Sequence, residues 1–213
     1  MWDTQFGDKF EAVIRDLYDS YMRLSKEWIE SNDLKINLKK TTLLDYSNGP
    51  DCYKDIKKYL SFLNEKTLDL YIEGHYVFEF KTRVKNINAV EQKIDGYKNR
   101  EDTSNGRVSV IKCLNDLFGM RIVWKQISLE HKDVDNFMKE RLSDIQYKCI
   151  NSSKNGYKAT HIYFRHNDPV YKNKVYPWEL QLWNPEDADN NKKSHAKYKQ
   201  GYTKWEKEVK EAD

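Results

Sequence analysis

Apolar residues near the start of the chain recur at helical spacing. Phe6, Phe10, Val13, Ile14, Leu17, Tyr18, Tyr21, Leu24 and Trp28 share one face and predict a long amphipathic helix over 2–30. The polar stretch 31–50 ends in "SNGP" and reads as a connector. A second helical pattern over 51–73 turns Ile56, Tyr59, Leu60, Leu63 and Leu68 inward. At "HYVFEFKTRV" (75–84) the period becomes two and β-formers dominate, which predicts a strand. "NINAVEQKI" (86–94) returns to helical spacing with Asn86 as N-cap, and the charged, glycine-containing stretch 95–107 reads as a loop. "VSVIKCLND" predicts a short helix leading into the strand "FGMRIVWKQ"; residues 130–142 read as helix and 145–150 as a short strand. In "NGYKATHIYF" (155–164) a tight Asn-Gly turn enters an alternating strand, and "KVYPWELQLW" (174–183) is another. From Pro185 onward the chain is polar and suits a helix, with Ala188, His195, Tyr198, Tyr202, Trp205 and Val209 available for packing. The sum is an α+β domain: a mixed, mostly antiparallel sheet with helices before, between and after its strands.

Composition narrows the function classes. A chain of 213 residues suits one domain, or one domain with helical additions at its ends. A third of the residues are charged, yet the signs nearly cancel at a formal +3, so net charge alone does not establish a nucleic-acid partner. Three cysteines (Cys52, Cys113, Cys149) without a CxxC suggest neither a disulfide framework nor a zinc site. The acidic, amphipathic N-terminus is unlike a signal peptide, and no apolar run approaches the roughly 20 residues of a membrane helix. A cytoplasmic protein with no membrane partner is expected.

Four segments carry candidate chemistry. In "FKTRVKN", Arg83 and Lys85 project from one face of a strand, and Lys93 follows on the next helix in a stripe with Asn86 and Val90. Two cations beside a helix N-terminus form a seat for a polyphosphate, although strand-end cations are usually just solvated. "NDLFGMRIV" sets Asp116, Gly119 and Arg121 at a loop-to-strand transition, where an aspartate is commonly a cap. "WELQLW" turns Glu179 and Gln181 to one face of a strand and Trp178, Leu180 and Leu182 to the other, ordinarily the mark of a wet sheet face. Tyr157 and His161 stand at the mouth of the "NGYKATHIYF" strand, and His195 lies in "KKSHAKYKQ", where a packing or surface role is commoner than a catalytic one.

In this order and spacing the four segments resemble the RelA/SpoT synthetase domain, over about residues 75–199. The family's R-x-K-S-x-x-S-x-x-x-K stands here as "RVKNINAVEQK", its D-x-x-G-x-R as "DLFGMR", its N-G-Y-x-S-x-H as "NGYKATH", and its E-x-Q with a later histidine as "ELQ" and His195. The resemblance implies a nucleotidyltransferase-like core at 75–199, an N-terminal helical region at 1–74, and a C-terminal helix end at 200–213 packed on the same domain. It implies transfer of the β,γ-pyrophosphate of ATP to a ribose 3′-hydroxyl. Arg83 and Arg121 would sandwich the adenine, with planar guanidinium groups that lysine lacks, and Lys85 and Lys93 would hold phosphates. Asp116 and Glu179 would be the catalytic pair and the ligands of Mg²⁺, with Glu179 also the base for the attacking hydroxyl. Tyr157 would stack on the acceptor base, with His161, Gln181 and His195 around it.

This chain also departs from the family pattern. Asn86 and Val90 or Ala89 replace two serines; Trp183 and Asn184 follow "ELQL" where arginine and threonine are usual; Asn190 and Ser194 replace a tryptophan and a glutamate before the last histidine. Those changes fall on the acceptor side, so two acceptors stay open. One is GDP or GTP, giving a small alarmone synthetase. The other is the 3′ end of tRNA, giving a toxin held by an antitoxin protein, with "NLKKTT" and "NKKSHAKYKQ" as basic approaches for an RNA backbone. A non-catalytic nucleotide-binding module is the third reading, and it leaves the retention of both carboxylates without a reason. The length leaves no room for a hydrolase domain, and a homo-oligomer is left open.

Overall fold

The amphipathic stripe at the N-terminus becomes α1 (Thr4–Glu30) in a computed structural model that describes residues 2–68, 70, 78–124, 129–154 and 156–194. The Asp3 side chain accepts a hydrogen bond from the Phe6 N–H and starts the helix. Its buried face crosses under the sheet: Phe6 meets Trp124 edge-on at 4.9 Å, Tyr18 meets Phe164 at 5.7 Å, and Tyr21 meets Trp178 at 5.4 Å. Each such side chain stabilises the packing by about 1.5–3 kcal/mol through the apolar area it removes from water.

Between α1 and the sheet the chain forms α2 (Leu43–Asn48) and α3 (Cys52–Lys66). The stretch expected as a plain connector therefore holds a short helix, α2. Thr42 caps it by accepting from the Asp45 N–H, and its hydroxyl donates to the Asp45 carboxylate at 2.6 Å. The second helix ends seven residues before the expected 73, at Lys66, because Thr67 turns its hydroxyl back onto the Leu63 carbonyl at 2.6 Å. Leu68, expected inward, is exposed as a result.

The sheet has five strands in the order β1-β2-β5-β4-β3: β1 (Phe78–Val84), β2 (Phe118–Trp124), β3 (Tyr147–Asn151), β4 (Thr160–Phe164) and β5 (Trp178–Trp183). Only β2 and β5 run parallel; the other three pairings are antiparallel, so the α+β fold class and the mixed, mostly antiparallel sheet stand as expected. The helices interleaved with these strands are α4 (Ile87–Lys98), the single turn α5 (Val110–Cys113), and α6 (His131–Arg141). Asn86 caps α4 by accepting from the Asn88 N–H. That helix runs on through Lys98, into the expected loop, since Tyr97 still packs against the core and the backbone around Gly96 is open.

The strand expected over 174–183 begins only at Trp178. Lys174 and Val175 give their N–H groups to the Tyr171 carbonyl in a turn, and Pro177 has none to give. After β5 a short 3-10 turn (Pro185–Asp187) leads into helix at 188–194. His195, Tyr198, Tyr202, Trp205, Val209 and the expected helix end at 200–213 lie outside the described residues, as do 75–77 of the first strand. Among the described residues no helix is long and apolar enough to cross a membrane.

Candidate active site

Strand alternation divides the sheet sharply. One face carries Phe118, Met120, Ile122, Trp124, Ile162, Phe164, Trp178, Leu180 and Leu182, all buried against α1 and the core. The other carries nearly every residue singled out from the sequence. In one cross-strand row Arg83 lies opposite Gly119, Gly119 opposite Glu179, and Glu179 opposite Tyr163. In the next, Lys81 lies opposite Arg121, Arg121 opposite Gln181, and Gln181 opposite His161. Glu179 and Gln181 thus sit on the central strand, and Glu179 is only 5% exposed. A wet sheet face does not describe them.

The Glu179 carboxylate is held on both sides. Tyr163 donates to Oε1 at 2.9 Å, His161 Nδ1 lies 3.0 Å from the same oxygen, and Gln181 Nε2 donates to Oε2 at 2.7 Å. Burial pushes the carboxyl up, but the hydrogen bonds from His161 and Gln181 outweigh it, and Glu179 ionises below its ordinary range. Trp183 Nε1, a donor only, gives its proton to the Tyr157 oxygen at 3.0 Å, and that phenol lies 2.9 Å from His161 Nε2. Tyr157 and Glu179 therefore flank the two ring nitrogens of His161, at Nε2 and Nδ1. Gly156, at φ +82°, makes the turn that brings Tyr157 here, and only glycine adopts that backbone without strain.

At the end of the row, Lys85 gives its N–H to the Leu117 carbonyl, which extends the β1–β2 ladder by one residue and keeps its side chain on the Arg83 face. Its ammonium meets Asp116 Oδ2 at 2.5 Å, and Lys93, from α4, meets Oδ1 at 3.0 Å. Burial pushes the Asp116 carboxyl up, yet the attraction of Lys93 and Lys85 wins and holds it far below the usual carboxylate range. After burial and the nearer Glu179, the negative charge of Asp116 is a lesser contributor to pushing the Tyr163 phenol up, and it opposes the lowering of Glu179. Gly119 lies in the same row, and a Cβ there would make only ordinary contact with its neighbours. A side chain there would rise between Arg83 and Glu179, with its Cβ 3.8 Å from Glu179 Oε2.

The sequence expectations Asp116, Glu179, Arg83, Lys85, Lys93, Arg121, Tyr157, His161 and Gln181 therefore meet on one face. Gln181 stands between Arg121 and Glu179. Its Oε1 accepts from Arg121 Nε at 3.3 Å and Nη2 at 3.1 Å while its amide donates to Glu179, so it joins those two residues. Arg83 is exposed at the rim, and His195 lies outside the described residues. Among the described residues no group of three or more His, Cys, Asp or Glu side chains forms a ready-made metal cage. Two carboxylates nonetheless suit a hard cation that arrives with its own phosphate oxygens, as Mg²⁺ commonly does.

Comparison with known proteins finds likeness only among solved structures. No family model matches the chain, and no curated protein does. Among solved structures, the chain is similar to the small alarmone synthetase 1 from Bacillus subtilis, at 14% identity and a TM-score of 0.38, over 79% of this chain and 92% of that one. A superposition that loose says nothing of the chemistry; the side chains must carry the reading.

Three contributors escaped the sequence reading. Tyr163 stands two residues beyond His161, and alternation alone would have turned it to the same face. Trp183 was noted only as a departure, since an indole at a strand end gives no sign of its partners. Asn191 is fully buried: its Oδ1 accepts from the Lys158 N–H at 2.8 Å and its Nδ2 donates to the Lys158 carbonyl at 2.7 Å. That two-pronged clamp binds the segment at 188–194 to the residue after Tyr157. An asparagine in a polar helix reads as surface, and nothing local marks it.

Proposed function

We propose that this chain is an ATP-dependent pyrophosphokinase of small alarmone synthetase type, acting on the ribose 3′-hydroxyl of GDP or GTP. The observation that supports this reading is the gathering, on one sheet face, of two ionised carboxylates, two lysines, two arginines and a pinned tyrosine from four separate segments. A module that only bound nucleotide would need the cations; burying Glu179 and ionising it in the middle of a sheet costs stability that binding alone does not require.

The acceptor 3′-oxygen attacks the β-phosphorus of ATP, the bond from that phosphorus to the α,β-bridging oxygen breaks, and AMP leaves with that oxygen. Lys85 and Lys93, held by Asp116 in the resting site, have their ammonium groups at the place where phosphate oxygens would compete for them. Asp116 and Glu179 would hold Mg²⁺, which would supply charge neutralisation across the triphosphate, while Lys85 and Lys93 turn to the phosphate oxygens. Glu179, ionised at neutral pH, takes the hydroxyl proton; Gly119 leaves the space beside Oε2 in which that hydroxyl can stand. Arg83 and Arg121 flank the adenine, and Tyr157 stacks on the acceptor base.

The test is γ-labelled ATP with Mg²⁺, offered separately to GDP, GTP and deacylated tRNA. Label in the small nucleotide is expected. Label on tRNA would move the chain to the toxin reading, in which an antitoxin is the partner to look for, and no label anywhere would leave the non-catalytic module. Glu179→Gln should lower transfer by about a thousandfold, the scale of losing one preorganised polar group at the reacting centre, while ATP-analogue binding persists.

A further inference from the structure

The Arg121 guanidinium lies over the Trp183 indole, 3.5 Å from its centroid, while Gln181 holds it by two hydrogen bonds. The indole and the amide together restrain a side chain that is otherwise free to turn about several bonds. The strand register explains how they meet, because Arg121 pairs with Gln181 and Val123 with Trp183, which makes Arg121 and Trp183 diagonal neighbours on one face. Trp183 is 1% exposed, so its position is set by packing. The edge of the same indole carries the N–H that holds the Tyr157 phenol at 3.0 Å, with the two rings nearly perpendicular at 82°.

One side chain therefore reaches both halves of the site. Its face backs the arginine proposed for the donor base, and its edge pins the tyrosine proposed for the acceptor base. The circuit is closed through hydrogen bonds on the other side, from Arg121 to Gln181, Glu179, His161 and Tyr157. From this geometry we infer that Trp183 is a positioning residue which sets the donor platform through its ring face and the acceptor platform through its N–H, and so couples the two nucleotide sites. The inference rests on the pyrophosphokinase reading for the identity of the two bases. The link between Arg121, Trp183 and Tyr157 does not depend on it.

The two roles separate by substitution. Trp183→Phe keeps an aromatic face and removes the N–H; Trp183→Leu removes both; Tyr157→Phe removes the oxygen that the N–H reaches. A non-hydrolysable ATP analogue, measured by calorimetry, should bind W183F within about twofold of wild type and W183L about tenfold more weakly, the scale of a desolvated cation–π contact. In transfer assays W183F and Y157F should each raise the acceptor KM several-fold with kcat little changed. The double variant should be no worse than Y157F alone, because Y157F already removes the bond that W183F removes, together with the contact to His161. A nuclear magnetic resonance readout needs no turnover: the Trp183 indole N–H signal, identified by its loss in W183F, should shift in Y157F. Analogue binding by W183L equal to wild type, multiplying KM effects, or an unmoved indole signal would each overturn the inference. A wild-type chain that binds the analogue but transfers nothing would instead sink the enzymatic reading, while the W183L comparison and the indole signal still decide the coupling.

Discussion

The two faces of the sheet use the same strands for opposite purposes. On the α1 side, Trp124, Phe164 and Trp178 meet aromatic partners, and nothing polar is asked of them beyond the Trp178 N–H, which donates to Tyr59 at 3.2 Å. On the other side, residues one position away along the same strands form a hydrogen-bonded circuit with little apolar content besides Trp183. The first face gains its stability from area and shape; the second pays desolvation and recovers it through pairing. Removing an atom from the first leaves a cavity, whereas removing one from the second leaves a charge without a partner.

Substitutions on each face should separate stability from chemistry. The largest loss of stability is expected at the packed face: Trp124→Ala should cost about 3–5 kcal/mol, read by denaturant unfolding, because the rings of Phe6, Phe10 and Phe78 around it cannot close the cavity. Below the melting transition the surviving folded fraction should keep its ATP-analogue affinity. Loss of affinity in step with stability would mean that the faces are not independent.

Asp116→Asn should cost less, on the order of 2–3 kcal/mol at neutral pH, since Lys85 and Lys93 lose their counter-charge but are not wholly out of water. Its pH dependence carries the sign. Asp116 has a folded value below its unfolded one, so its stabilisation is complete above the ordinary carboxylate range and is lost as pH falls toward the depressed value. Wild type should thus lose stability on acidification below about pH 4.5, and Asp116→Asn should flatten that slope. An unchanged slope in acid titrations monitored by circular dichroism would sink the assignment.

The smallest effect belongs to a cluster on neither face. Arg15 bridges Glu11 and Asp144 at the surface, and Arg15→Ala should change stability by no more than about 1 kcal/mol, with the difference shrinking in high salt.

How much of this was legible beforehand differs element by element. The helix α1 and the alternating strands were readable because their period is local: a residue's face follows from its position in a repeat. The end of α3 was not readable, since Thr67 breaks the pattern by a single hydroxyl turned back on Leu63. The candidate site residues stood out through a resemblance in spacing, and alternation already set Glu179 and Gln181 on one face. Their partners were not recognisable. Glu179 and Tyr163 lie sixteen positions apart, Lys85 and Asp116 thirty-one, and Arg121 and Gln181 sixty.

By itself, then, the sequence determined which side chains share a face, where most elements run, and which residue types were on hand for phosphate chemistry. Tertiary structure alone decided that β5 lies at the centre of the sheet beside β2, and so that Asp116 is clamped by two lysines, that Trp183 touches both Arg121 and Tyr157, and that Asn191 fastens the chain after Tyr157. The physical reason is the range of the forces involved. Periodicity is written residue by residue along the chain, while a hydrogen bond or a cation–π contact depends on a few ångströms between segments whose separation only the folded sheet sets.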